Sequence, residues 1–184
     1  FHPLRGYFIS NGHLHLLVKN NNFSGWGNFP VIKGELTQVS TEDHLIEAIN
    51  GNETVIPYGN GRSYGDNALN DHMIHYNDPI DPIEFNKETG IGHVSAATQI
   101  GDLIDHILPF GWFPPVVPGT KFVTIGGAIA ADIHGKNHHV DGCFSQHIIS
   151  FDLMLPNGNI VQCSHQKNSD LFKATCGGMG LTGV

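Results

Sequence analysis

Thr124-Ile-Gly-Gly-Ala-Ile-Ala-Ala-Asp-Ile-His-Gly-Lys-Asn-His-His139 puts small residues, one Asp, three His and one Lys into sixteen consecutive positions. A plain core strand or helix has no use for that mixture. Glycine carries no Cβ, so Gly126, Gly127 and Gly135 let a backbone come close to a bound group. Ala128, Ala130 and Ala131 keep the surface flat, and His134, Lys136, His138 and His139 supply polar ends. The run reads as a wall for a large planar ligand with a reactive edge.

A second run, Pro57-Tyr-Gly-Asn-Gly-Arg-Ser-Tyr-Gly-Asp66, follows the apolar stretch Thr54-Val-Ile-Pro57. Gly59, Gly61 and Gly65 allow successive main-chain N–H groups to turn inward as an anion nest. Asn60 lies within that nest, Ser63 adds a hydroxyl, and Arg62 adds a charge. The Lys-Ser/Thr ending of a Walker loop is missing, and no amphipathic helix follows as in a Rossmann fingerprint. A surface turn is the plainer reading of the same glycines.

The chain has 184 residues, enough for one domain with its own core. Hydrophobic residues make up 40% and charged residues 14%, which fits a globular protein with much enclosed surface. A formal net charge of −8 argues against a nucleic-acid partner. No apolar run reaches the length of a membrane span. Phe1 to Asn22 lacks the basic start, apolar stretch and cleavage site of a signal peptide. The three cysteines, Cys143, Cys163 and Cys176, read as reduced thiols of a cytoplasmic protein. Among 13 histidines, His134, His138 and His139 come nearest to a metal site. On a helix the first two would share a face. No Cys or carboxylate pattern completes a zinc signature, so no metal is expected.

Short strands and helices alternate, which gives an α+β fold with too few helices for a doubly wound sheet. Phe1 to Asn22 reads as an extension with little regular structure. A strand is expected within 30–38 and a helix over 41–50, with Thr41 as N-cap and Leu45, Ile46 and Ile49 as apolar face. Further strands are expected at 54–57, 73–76, 83–85 and 91–96, the middle pair around a Pro/Asp turn. Thr98 to Leu108 has helical period, with Thr98 as a cap. A hairpin runs over 147–164 around Pro156-Asn-Gly158. A short helix follows at 169–176, capped by Ser169 or Asn168. The proline-rich stretch from Pro109 to Pro118 is the expected joint between two subdomains.

Four motifs keep a common order and spacing: Gly61-Arg-Ser-Tyr-Gly-Asp-Asn-Ala-Leu-Asn70, Pro118-Gly-Thr120, the Gly126 to His139 run, and Gly177-Gly-Met-Gly-Leu-Thr-Gly183. Together they resemble the FAD domain of the vanillyl-alcohol-oxidase-type (PCMH-type) flavoproteins over roughly residues 25–184. The resemblance implies an extension at 1–24 and two α+β subdomains near 25–110 and 118–184 with FAD between them. It also implies truncation before a substrate domain.

By resemblance, Gly59, Asn60, Gly61, Arg62, Ser63 and Tyr64 cradle the pyrophosphate. Pro118, Gly119 and Thr120 turn beside the flavin ring. Thr124, Gly126, Gly127 and Ala128 pass the ribityl chain, and Gly178, Gly183 and Val184 lie on the adenosine side. Covalently flavinylated relatives carry His near Tyr64 and, where doubly linked, Cys near Phe122, so FAD is expected to be non-covalent. His134 and Lys136 are the expected catalytic residues. Oxidases of the superfamily often place Gly at the position of Ile133, so Ile133 implies slow reaction with dioxygen.

The implied reaction is oxidation of a sugar or polyol hydroxyl by hydride transfer to FAD, with a polyprenyl-phosphate pentose as the nearest substrate and a short-chain reductase as the partner. An aldonolactone or alditol dehydrogenase or oxidase, and a non-catalytic flavin-binding fragment, remain open beside it. The implied place is the cytoplasm, peripheral to the inner membrane.

Overall fold

The computed structural model describes residues 9–10, 13–14, 17–77 and 82–184. Strands β1 (Ile9–Ser10) and β2 (His13–Leu14) pair antiparallel. β3 (Leu17–Ser24) then pairs antiparallel with β4 (Val31–Val39) along its whole length. The end of the stretch read as an irregular extension is therefore a strand. The alternating Leu17, Lys19 and Asn21 positions gave too weak an apolar signal to reveal it.

α1 (Glu42–Asn50) begins where the Thr41 side chain accepts a hydrogen bond from His44 N at 3.2 Å. Glu42 and Asp43 occupy its first turn, where the helix dipole favours acids. α1 leads to β5 (Ile56–Pro57), shorter than the expected 54–57 because Thr54 stays exposed. The glycine-rich run connects β5 to β6 (His72–Tyr76). The sheet order is β3-β4-β6-β5, with β6 parallel to both β4 and β5. Parallel neighbours require crossovers, and the glycine-rich run is one of them.

β7 (Glu84–Asn86) and β8 (Ile91–His93) form a small exposed hairpin, against an expectation that reached Ala96. The Pro/Asp turn expected before β7 falls mostly on 78–81, outside the described residues. α2 (Ile100–Ile107) buries Ile100 and Ile107. Gln99 is its N-cap, without a side-chain bond, and the Thr98 carbonyl instead accepts from Ile125 N at 2.8 Å. α3 (Ile125–Ala130) is capped by Thr124, whose hydroxyl accepts from Gly127 N at 3.2 Å. α4 (His138–Asp141) is a single turn. The hairpin of β9 (Ser150–Met154) and β10 (Ile160–Ser164) closes through Gly158 at φ 80°. α5 (Ser169–Thr175) starts after Asn168, whose amide donates to Gln162 O at 2.8 Å rather than to the helix.

Four apolar clusters hold these elements. Leu36, Ile56 and Met73 pack under β3 residue Phe23. Val39, Leu45, Ala48 and Ile74 join α1 to the sheet and take in Met154 from the β9–β10 hairpin. Ile100, Val116, Ile125, Ala128, Ile129 and Phe144 pack around α3. Leu153, Cys163 and Phe172 lie between the hairpin and α5. Met154 thus carries the first half of the chain onto the second.

Phe172 is 1% exposed and stacks on Phe151 with ring centroids 5.1 Å apart. We expect Phe172→Ala to lower stability by about 3–5 kcal/mol through lost burial and a residual cavity. A urea-unfolding midpoint unchanged from the parent would refute this.

Candidate functional site

The glycine-rich run is held in shape from three sides. Gly25 is buried, and a Cβ there would strike the carbonyl oxygens of Ser63 and Gly65. The neighbouring Trp26 N donates to Ser63 O at 2.7 Å. Across the run, Asn60 Nδ2 donates to Phe122 O at 3.1 Å. The Cβ position of Gly59 lies only 2.8 Å from Thr124 Oγ1. Gly61 sits at φ 63° against the Tyr58 hydroxyl, a left-handed position that an L side chain resists. Burial pushes the Tyr58 hydroxyl above its ordinary range even though Arg62 pulls it down.

That fixed backbone leaves its own donors open. Among the described residues, no N–H from Gly59 through Gly65 has an acceptor within the protein. An unpaired buried N–H is costly, but these lie on half-buried and exposed residues where a bound oxygen anion can satisfy them. Arg62 is the cation of the run. Its Cζ lies 5.4 Å from the Trp26 ring centroid and 5.5 Å from that of Phe122. Asp66 holds the loop through its carbonyl, which accepts from Leu69 N at 2.8 Å. Tyr64 is 88% exposed, so packing does not explain it.

The wall formed by α3 works differently from its sequence reading. Ile125 N, Gly126 N and Gly127 N donate to Thr98 O, Ala96 O and Thr124 Oγ1, so these amides are already engaged. The Cβ position of Gly126 lies 3.2 Å from Ala96 Cβ. The close approach that Gly126 permits is to the chain itself. Ala128 is fully buried. Thr124 couples this wall to Gly59. Gly119, between half-buried Pro118 and Thr120, faces open space, with no atom within 4 Å of its Cβ position.

Asp132, at φ 40°, accepts from Ser145 N at 2.9 Å and Ser145 Oγ at 3.0 Å, so it ties two loops together. Ile133 is half-buried and packs against the α3 core. Part of its surface therefore serves the core rather than a shield. His134 pairs with Cys143 through the main chain and is exposed. Gly135 is buried with its Cβ position 3.2 Å from Val117 O, which sets this segment beside the Pro118-Gly119 turn. Lys136 is exposed and makes no ion pair among the described residues. The His134 and His138 rings lie 5.5 Å apart, but His134 stands outside α4, so they do not share a helix face. Among the described residues no three His, Cys, Asp or Glu side chains are placed to hold a metal.

The last glycine strip closes the opposite end of α3. Gly177 N and Met179 N donate to Ile129 O and Ala130 O at 3.0 and 2.8 Å. The Cβ position of Gly180 touches Pro57 at 2.9 Å, at the end of β5. Side chains at Gly178 and Gly183 would strike the carbonyls of Ala174 and Met154, so both glycines are required by the fold itself. Val184 exchanges main-chain hydrogen bonds with Met154 at 2.8 and 3.0 Å.

The structure thus joins Gly59, Asn60 and Arg62 to Phe122 and Thr124, and brings the strip at 177–180 against Pro57. Sequence reading missed Trp26, Phe122 as an aromatic surface, and Ala96. The Gly25-Trp-Gly27 triplet was the available signal, since two glycines around an exposed Trp free the chain to approach a neighbour.

The sequence profile described as FAD binding domain matches residues 36–164, and the chain belongs to that family. It is 39% identical over 168 residues to decaprenylphosphoryl-beta-D-ribose oxidase of Mycolicibacterium smegmatis, covering 87% of this chain and 36% of that protein. It is 30% identical over 105 residues to human delta(24)-sterol reductase, covering 55% and 20%. It is 30% identical over 152 residues to a carbohydrate oxidase of Microdochium nivale, covering 78% and 30%. The chain therefore spans about a third or less of these relatives. FAD is the cofactor of the domain, and the open amides of the glycine-rich run and the vacant face of Gly119 fit it.

Two expectations follow. Gly126→Val forces Ala96 aside and costs about 1–3 kcal/mol of stability. Gly119→Val changes stability by less than about 0.5 kcal/mol yet weakens FAD binding. Paired unfolding and FAD-titration measurements that rank the two glycines the other way would refute the division. Burial, and then Asp132 and Cys163, push the Cys176 thiol up to about 11. Its folded form keeps its proton above the ~8.5 of an unfolded cysteine. The stability it contributes is complete below that value and lost as pH rises through the folded one. Cys176 should resist iodoacetamide at about pH 8 in the native state, which peptide mapping reads directly.

Proposed function

We propose that this domain holds FAD without a covalent bond and serves an enzyme that oxidises a hydroxyl carbon of a sugar or polyol, with a polyprenyl-phosphate pentose as substrate. The observation that carries the reading is the run of unengaged amides from Gly59 to Gly65 around Arg62. A diphosphate supplies enough oxygen acceptors for several of them, and hydrogen bonds to a charged partner contribute about 1.5–3 kcal/mol each. Ser63 and Asn60 belong to the same cradle. Tyr64 replaces the imidazole that a histidyl–flavin bond needs, so the link is non-covalent. When bound, FAD supplies the hydride acceptor.

Side chains of this chain add to that reading. Gly119, between Pro118 and Thr120, leaves open space that a planar ring can use. His134 and Lys136 offer hydrogen-bond donors to negative charge that develops during the reaction. The ammonium of Lys136, unpaired among the described residues, suits the phosphate of a phosphorylated sugar. The likeness to the ribose oxidase supports the polyprenyl-phosphate substrate. No helix among the described residues is long and apolar enough to cross a membrane. A lipid-linked substrate would then be met by peripheral contact with the inner membrane from the cytoplasm, with a short-chain reductase finishing an epimerisation. The likeness to the carbohydrate oxidase favours a second reading, in which a free sugar, lactone or alditol is oxidised.

Acid precipitation of FAD-loaded protein should release all of the yellow colour, and flavin retained in the pellet would overturn the non-covalent reading. In the full-length enzyme, anaerobic mixing with a polyprenyl-phosphoryl pentose should bleach the flavin band much faster than a free sugar, lactone or alditol. The reverse order selects the second reading.

A further inference from the structure

We propose that Trp26 is a positioning residue of the FAD site, acting through Arg62 to hold a positive charge over the diphosphate. This rests on the FAD reading above and extends it to a residue outside the 36–164 stretch that defines the family match. Trp26 follows β3 and is 52% exposed, as an indole used only for packing would not be. Its amide is bonded to Ser63 O at 2.7 Å, so its main chain is fastened to the residue next to Arg62. Its ring lies 5.4 Å from Arg62 Cζ, and the Phe122 ring lies at 5.5 Å from the same atom. Two rings from distant parts of the chain thus share one guanidinium.

An exposed arginine ordinarily samples many rotamers. Contact with aromatic faces restrains it and leaves its planar edge free to meet oxygen anions. Arg62 has no acidic partner among the described residues, in a chain of net charge −8 with nine Lys and Arg in all. The charge is therefore not spent on an ion pair. It stands within the stretch of seven amides, Gly59 to Gly65, that lack internal acceptors. A restrained cation among open amides is a diphosphate site, and Trp26 is half of the restraint.

The test uses the whole chain and three ligands: FAD, ADP as its diphosphate half, and riboflavin as its ring half. Variants are Trp26→Ala, Trp26→Leu, Trp26→Phe, Arg62→Gln, and Trp26→Ala with Arg62→Gln, each checked for an unchanged unfolding midpoint. Losing one exposed cation–π contact should weaken FAD and ADP about fivefold in Trp26→Ala and Trp26→Leu. Riboflavin binding should be unchanged, and Trp26→Phe should stay close to the parent. In the Arg62→Gln background the loss from Trp26→Ala should disappear. Full loss in that background, equal loss for riboflavin, or parental FAD affinity in both the Ala and Leu variants would overturn the role of Trp26. Failure of the parent chain to bind either FAD or ADP would overturn the FAD reading itself, and this inference with it.

Discussion

A main chain that leaves seven successive amides without internal acceptors has to be held in place by other contacts. The amides of Gly59 to Gly65 gain no stability from internal hydrogen bonds, and a free loop of that composition would lose much entropy on ordering. The compensation is visible around it. Carbonyls and side chains bond where amides do not: Ser63 O to Trp26, Asn60 Nδ2 to Phe122 O, and Asp66 O to Leu69. Removal of Cβ atoms at Gly25 and Gly59 lets neighbours close in. The cradle is preorganised because its anchors and its donors are different atoms.

The glycines divide accordingly into two kinds that look identical in sequence. Gly126, Gly178 and Gly183 accommodate Ala96, Ala174 and Met154, so they belong to packing. Gly119 faces empty space, and Gly61 takes a backbone angle that shapes the cradle. Glycines that look alike in one motif therefore answer to different physical constraints. The α3 segment is fixed because its first amides are engaged and its far end is bonded to the strip at 177–179.

Much of the fold was legible because local chemistry dictated it. The Thr41 cap, the apolar stripe of α1, the period of α2 and the Asn157-Gly158 turn all act over a few residues, and all appear where the sequence places them. β3 was not legible, because an edge strand rich in Asn shows little alternation and owes its place to β4. The Thr98 cap failed for a similar reason, since a distant amide on Ile125 claims its carbonyl. In the site, the glycine runs stood out by composition. The placement of Trp26 and Phe122 on Arg62 did not, because a contact between residues 26, 62 and 122 leaves no periodic trace.

The same long-range contacts bear on how cofactor and fold depend on each other. Asn60 to Phe122, Gly59 to Thr124, Gly180 to Pro57 and Asn67 to Met179 all join the sheet side of the chain to the α3 side, and all lie along the candidate site. Away from it, Met154 supplies the apolar link to Val39, Leu45 and Ile74. The site thus lies where the two halves meet through single polar or steric contacts rather than through a broad apolar surface. A ligand that bonds to both sides adds its binding free energy to that junction, because it binds only when both are in place. A cofactor bonded to both sides would thereby act as part of the packing between the halves, because the contacts that shape the glycine-rich run also tie it to α3.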